Sequence, residues 1–250
     1  MNSILTSAGI RGVLLDIEGT TTPIAFVHEI LFPYARARVR DYLAAHFDSA
    51  ETIADLTRLR EEHTADVARN PAPPPLIEGS RSVEIDSMVA YVHWLIDLDR
   101  KSPGLKSLQG RIWQQGYVDG TLKAPLFADV VPALKYWRDH NLKIAIFSSG
   151  STLAQKLLFA HTEFGDVTSY IDDYFDTKMG AKTDPDSYRR IAAALRLRPT
   201  EVLFISDIVT ELDAASTAGM QALLCVRPSD SVPASADRHP IIYSFESLSG

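Results

Sequence analysis

A single cysteine, Cys225, stands in 250 residues. No internal disulfide can form, which fits a reducing compartment, and a cytoplasmic protein is expected. Cys225 lies in the apolar run Ala222-Leu223-Leu224-Cys225-Val226 and reads as a buried structural thiol. No apolar run approaches the roughly 20 residues of a membrane span, so no membrane partner is expected. The opening residues, Met1-Asn2-Ser3-Ile4-Leu5-Thr6, have neither a basic region nor a long apolar core and do not read as a signal peptide. No block of Lys and Arg stands out and the net charge is −7, so nucleic acid is not an expected partner. There is no internal repeat, and no biased segment beyond Pro71-Ala72-Pro73-Pro74-Pro75. At 46% hydrophobic and 23% charged, the composition is that of an ordinary globular protein.

Four apolar runs read as strands: 12–17, 142–147, 201–205 and 221–226. In the first, Val13-Leu14-Leu15 shows no alternation, which suits a strand buried on both faces of a parallel sheet. Helical patterns follow at 130–140, 152–161, 184–195 and 210–218. The third of these opens with Asp184 as N-cap before Pro185, and the fourth ends at Gly219. Strands that alternate with helices pair in parallel through crossovers, which gives an α/β fold.

Residues 23–124 read differently. The stretches 26–47, 50–70, 83–101 and 105–117 carry helical periodicity, and no convincing strand interrupts them. The proline-rich break reads as a stiff connector between two helical halves. The expected organisation is a core of residues 1–22 and 125–250, with a helical domain, 23–124, inserted after the first strand and over the carboxylates that end it.

Ligands of open α/β sheets bind beyond the carboxyl ends of the strands. Four clusters deserve reading on that basis. Strand 12–17 runs into Asp16 and Glu18, followed by Gly19-Thr20-Thr21. Strand 142–147 leads into Ser148-Ser149-Gly150-Ser151 at a helix start, where backbone amides and the helix dipole suit a phosphate. The loop 176–185 holds Lys178 and Lys182, either of which could supply a cation to a phosphoryl group. Strand 201–205 ends in Ser206-Asp207, with Glu211 four residues further on. Asp207 suits an oxygen-ligand site for Mg²⁺, and Glu211 is either a weaker ligand candidate or a support of that loop.

In order, the clusters are an acid pair, Ser/Thr, Lys and acid. That order resembles the haloacid dehalogenase-like phosphohydrolases, over residues 10–22 and 125–250. The resemblance implies a Rossmannoid parallel-sheet core with an inserted α-helical cap, a Mg²⁺ cofactor and a small phosphorylated substrate. By motif position it implies Asp16 as nucleophile, Ser148 and Ser149 as substrate-binding residues, and Lys182 at the phosphate. It implies Asp16, Glu18 and Asp207 as Mg²⁺ ligands.

Glu18 stands where most such phosphatases carry a second Asp acting as general acid. Metal ligand and acid–base group are both open readings for it. The stretches Asp16-Ile17-Glu18-Gly19-Thr20-Thr21 and Phe175-Asp176-Thr177-Lys178-Met179-Gly180-Ala181-Lys182 look like a branch of the family that enolises a phosphorylated diketone and then hydrolyses its ester. Phe32-Pro33-Tyr34 and Trp113-Gln114-Gln115-Gly116-Tyr117 in the insert extend that likeness. The alternatives are a generic sugar-phosphate or nucleotide phosphatase on the same core, and a non-catalytic phosphate-binding module. A monomer is expected.

Overall fold

The computed structural model describes residues 5, 9–98, 100, 102–228 and 238–248. Most of the opening segment, and the expected helix end at Lys101, lie outside the described residues. The chain forms two compact units. One comprises residues 1–26 and 123–250, the other residues 27–122.

The first unit is built on a six-stranded parallel sheet. Its strands are β1 (Gly12–Leu15), β2 (Lys143–Phe147), β3 (Asp173–Phe175), β4 (Val202–Ser206), β5 (Gln221–Cys225) and β6 (Ile241–Ile242). The spatial order is β3-β2-β1-β4-β5-β6. β1 therefore lies between β2 and β4, and the crossovers change direction there. β1 is buried at every residue. The helices of this unit are Val130–Asp139, Thr152–Ala160, Pro185–Ala194 and Val209–Thr217. Tyr188 and Ile191 from the third, and Leu212 from the fourth, pack on Leu14, Phe147 and Phe204 of the sheet.

Register sets the site. Leu15 pairs with Ile146 of β2 and with Ile205 of β4. The residues that follow β1, β2 and β4, namely Asp16, Ser148 and Asp207, thus emerge at the same carboxyl end of the sheet. The first strand stops two residues short of its expected end because the chain turns around one oxygen. The Ile17 carbonyl accepts the amides of Thr20, Thr21 and Thr22.

The second unit contains α1 (Phe32–His46), α2 (Ala50–Asp66), α3 (Arg81–Asp97) and α4 (Pro103–Val118), with no strand among its described residues. The stretch expected as one helix over 26–47 is two. A π-helical turn, Phe26–Leu31, precedes α1, whose first turn holds Pro33. Proline lacks an amide hydrogen and fits a helix start, where that donor has no partner. Within this unit the Trp113 indole donates to the Leu31 carbonyl (2.8 Å), and Arg111 pairs with buried Asp55 (2.8 Å). The proline-rich connector is tied down, since His63 Nε2 donates to the Pro74 carbonyl at 2.8 Å.

Candidate active site

Asp16 is 5% exposed at the end of the central strand. Its Oδ1 accepts the Ile17 amide (2.8 Å) and lies 2.7 Å from Lys182 Nζ. Its Oδ2 accepts from the Ser206 hydroxyl at 3.3 Å. Lys182 also reaches Glu211 Oε2 at 2.5 Å, so one buried ammonium bridges two carboxylates. Burial alone would lower the lysine pKa, but Asp16 and Glu211 outweigh it and hold Lys182 above its ordinary value. Lys178 is exposed, so of the two lysines it is Lys182 that the fold brings to Asp16.

The loop that carries Lys182 needs Gly180. Its φ is +118°, and a Cβ there would overlap the Ser187 hydroxyl. The Tyr188 hydroxyl donates to the Lys182 carbonyl (2.7 Å), which fixes the lysine backbone against the core.

Asp207 follows β4 and faces the loop after β1. Gly19 has φ +67°, and a Cβ on it would overlap Asp207 Oδ2. Asp207 Oδ1 is buried and makes no hydrogen bond. Burial, then the charge of Asp16, push the Asp207 carboxyl up to about 7. The same two causes push Glu211 up to about 7, against the pull of Lys182. Asp16 and Glu211 pair with the Lys182 ammonium, and Asp207 adds a third carboxyl group beside them. A divalent cation would offset this crowding of acids, and the buried Asp207 oxygen without a hydrogen bond suits a donor to one. The donor chemistry, all oxygen, is that of Mg²⁺.

Asp16, Glu18 and Asp207 are the expected ligands of one ion. Among the described residues, no three Asp, Glu, His or Cys side chains form a preformed metal group. The physical reason is visible at Asp16, whose oxygens are held by Lys182 and Ser206. Glu18 is half-buried in the turn, where its residue pairs with Thr22. Glu211 contacts Lys182 and Ser206, in line with a supporting role.

Ser148 is 5% exposed, and its hydroxyl accepts the Gly150 amide at 3.1 Å; Ser149 beside it is exposed. The Gly150 amide, expected to face a phosphate, is therefore engaged within the turn. The following helix start is also occupied. Ser151 caps it by accepting the Ala154 amide (3.2 Å), and Asp176 Oδ2 accepts the Thr152 amide (3.4 Å).

Two contributors were not singled out from sequence. Ser206, fully buried, sits between Asp16 and Glu211. Asp176, 6% exposed, ties the lysine loop to the helix after β2 through the Thr152 and Lys178 amides. Ser206 ends a strand that the sequence does show, and that position is the available signal; Asp176 follows a three-residue strand with no period to read.

Residues 10–219 match the family model described as haloacid dehalogenase-like hydrolase. The chain is 50% identical to enolase-phosphatase E1 of Synechococcus elongatus, over 96% of this chain and 98% of that one. The chain belongs to the haloacid dehalogenase-like hydrolases, and within them to the enolase-phosphatase E1 family. Enolase-phosphatase E1 of Danio rerio is 40% identical over 99% of this chain and 98% of its own. Among solved structures, the UTR4 protein of Saccharomyces cerevisiae superposes with a TM-score of 0.75 at 34% identity, covering 96% of this chain and 100% of that one. Membership extends through the helical unit as well as the sheet. Among the described residues, no helix is long and apolar enough to cross a membrane.

Proposed function

We propose that this chain is a bifunctional enolase-phosphatase of methionine salvage. It converts 2,3-diketo-5-methylthiopentyl-1-phosphate to the acireductone 1,2-dihydroxy-3-keto-5-methylthiopentene and inorganic phosphate, as a cytoplasmic monomer. The observation that carries the reading is the Lys182 ammonium held against Asp16 where the central strand ends. A carboxylate nucleophile beside a fixed cation is what phosphoryl transfer requires. The enolising half rests on the full-length likeness to enolase-phosphatases and on Glu18 in place of aspartate.

Asp16 is the nucleophile. Its carboxylate oxygen attacks phosphorus, the bond from phosphorus to the enol oxygen breaks, and the enolate leaves as the stabilised anion. Water then attacks the aspartyl phosphate, releases phosphate and restores Asp16. Lys182 counters the charge on the phosphoryl oxygens, and Ser148 and Ser149 bind the phosphorylated end of the substrate. Glu211 and Ser206 keep Lys182 and Asp16 in place. Asp16, Glu18 and Asp207 are the residues that would hold Mg²⁺. When bound, the ion supplies Lewis-acid stabilisation to the diketone oxygens and to the phosphoryl charge. The helical unit takes the part of the cap domain.

Phosphate release from the diketone phosphate tests the reading. Asp16→Asn, whose amide cannot attack phosphorus, is expected to release none while remaining folded. Release at the wild-type rate by Asp16→Asn would remove the nucleophile assignment.

A further inference from the structure

Arg227 is 2% exposed, just past the end of β5, and has no part in the chemistry above. Its Nε and Nη2 both donate to the carbonyl of Thr20, at 2.9 and 2.5 Å. Its Nη1 donates to Asp129 Oδ2 at 2.7 Å. The guanidinium lies between two rings, with Phe127 at 4.2 Å and Phe245 at 4.7 Å. Asp129 Oδ2 further accepts the Phe245 amide (2.6 Å) and the Ser244 hydroxyl (3.0 Å). Burial would raise the Asp129 carboxyl, yet Arg227 and the Phe245 amide bring it below its ordinary value.

A buried ion pair is weak evidence for stability, because well-packed apolar groups do as well. This pair does something apolar groups cannot: it grips one backbone oxygen with two donors. That oxygen belongs to the turn that carries Glu18 and Gly19. The turn is not at ease by itself. The hydroxyls of Thr20 and Thr22 are both buried without a hydrogen-bond partner. Each such group disfavours the turn on its own. The turn is held from outside at two successive carbonyls, Thr20 by Arg227 and Thr21 by the Phe127 amide (3.1 Å). Gly19 in turn abuts Asp207.

We propose that the Arg227–Asp129 pair is a positioning clamp: through the Thr20 carbonyl it sets where the Glu18–Gly19 turn meets Asp16 and Asp207. The inference rests on the assignment of Asp16, Glu18 and Asp207 to the reacting site. A shift of about 1 Å in a reacting group costs on the order of 10²-fold in rate, so a loosened clamp reads out in kcat.

The test compares Arg227→Lys with Leu195→Ala, a core truncation outside this network. Lysine keeps a cation for Asp129 but cannot make the fork to Thr20. Expected for Arg227→Lys is a folded protein with kcat reduced about tenfold or more, KM little changed, and a smaller rise in Tm on adding Mg²⁺. Leu195→Ala is expected to lose Tm while keeping wild-type kcat and its full Mg²⁺ response. Unchanged kcat and Mg²⁺ response in Arg227→Lys, or equal losses in Leu195→Ala, overturn the clamp. Should Arg227→Lys not fold, Asp129→Asn decides: a lower kcat at unchanged KM supports the clamp, and wild-type kcat overturns it. Asp16→Asn separates the two layers. If it is active the site reading fails, and if it is dead while Arg227→Lys is normal only the clamp fails.

Discussion

Lys182 Nζ stands 2.7 Å from Asp16 Oδ1 and 2.5 Å from Glu211 Oε2, so one ammonium connects the central strand to the helix after β4. Lys182→Ala removes the cation that pairs with both acids and, in the proposed mechanism, the charge that meets the phosphoryl group. Its kcat is expected to fall by on the order of 10² or more, the scale for one electrostatic stabiliser. Its Tm is expected to fall too, because breaking a buried pair strands the remaining charges. Exposed Lys178→Ala is expected to leave both nearly unchanged. Steady-state kinetics and thermal melts of the two variants check this, and the reverse ranking contradicts it.

In the proposed site, the raised Asp207 carboxyl would tie metal binding to pH. Its folded value is about 7, against about 3.9 for an unfolded aspartate. The folded state therefore binds the proton more tightly, and without metal this group costs stability as pH rises through that window. Mg²⁺ needs the ionised carboxylate and displaces the proton. At fixed Mg²⁺, the rise in Tm is expected to be larger near about pH 8 than near about pH 5. Asp207→Asn is expected to flatten the metal-free profile and to raise the Mg²⁺ requirement for activity. An increment independent of pH, with an unaltered Mg²⁺ requirement in the variant, would show that Asp207 is no ligand.

Gly19 joins backbone conformation to the same carboxylate. Its φ of +67° disfavours any side chain, and a Cβ would overlap Asp207 Oδ2. Gly19→Ala is expected to cost about 1 kcal/mol or more of stability. It should also weaken activation by Mg²⁺, because Asp207 must move aside. Melts and Mg²⁺ titrations of activity measure the two effects, and an Mg²⁺ response like wild type's would argue against this packing.

Much of this architecture is legible in the chain. The runs at 12–17, 142–147, 201–205 and 221–226 are each apolar enough to betray a buried strand, and all four are strands in the fold. β3 and β6 escape notice for a physical reason. Asp173–Phe175 has three residues, two of them polar or half-buried, and Ile241–Ile242 has only two, so neither carries a period to read. The site divides likewise. Asp16, Lys182 and Asp207 stand out because charges at strand ends or beside a helix start are conspicuous. Ser206, Asp176 and Arg227 act through contacts made across the fold. The Arg227 bond to Thr20 spans 207 positions, a distance no local pattern encodes. The two extra turns of spatial information, that Lys182 bridges two acids and that Asp207 keeps an unpartnered oxygen, exist only once the strands are in register.

Glu18→Gln decides between the two readings of that residue. A metal ligand would serve enolisation and hydrolysis alike, since both develop charge that Mg²⁺ would stabilise. Glu18→Gln is therefore expected to slow proton exchange and phosphate release in parallel, with partial recovery at high Mg²⁺. Slowed exchange with normal release of phosphate from a preformed enol ester would assign Glu18 to proton transfer instead.

The most direct test of the whole account follows the diketone phosphate in deuterated solvent, with carbon-bound deuterium and free phosphate measured in one reaction. Wild type is expected to catalyse exchange at the carbon alpha to the carbonyl and to release phosphate. Asp16→Asn is expected to release none while retaining slow exchange as long as Mg²⁺ stays bound. No exchange into the diketone phosphate, together with ready hydrolysis of simple sugar phosphates, would contradict the enolase half and leave a generic phosphatase.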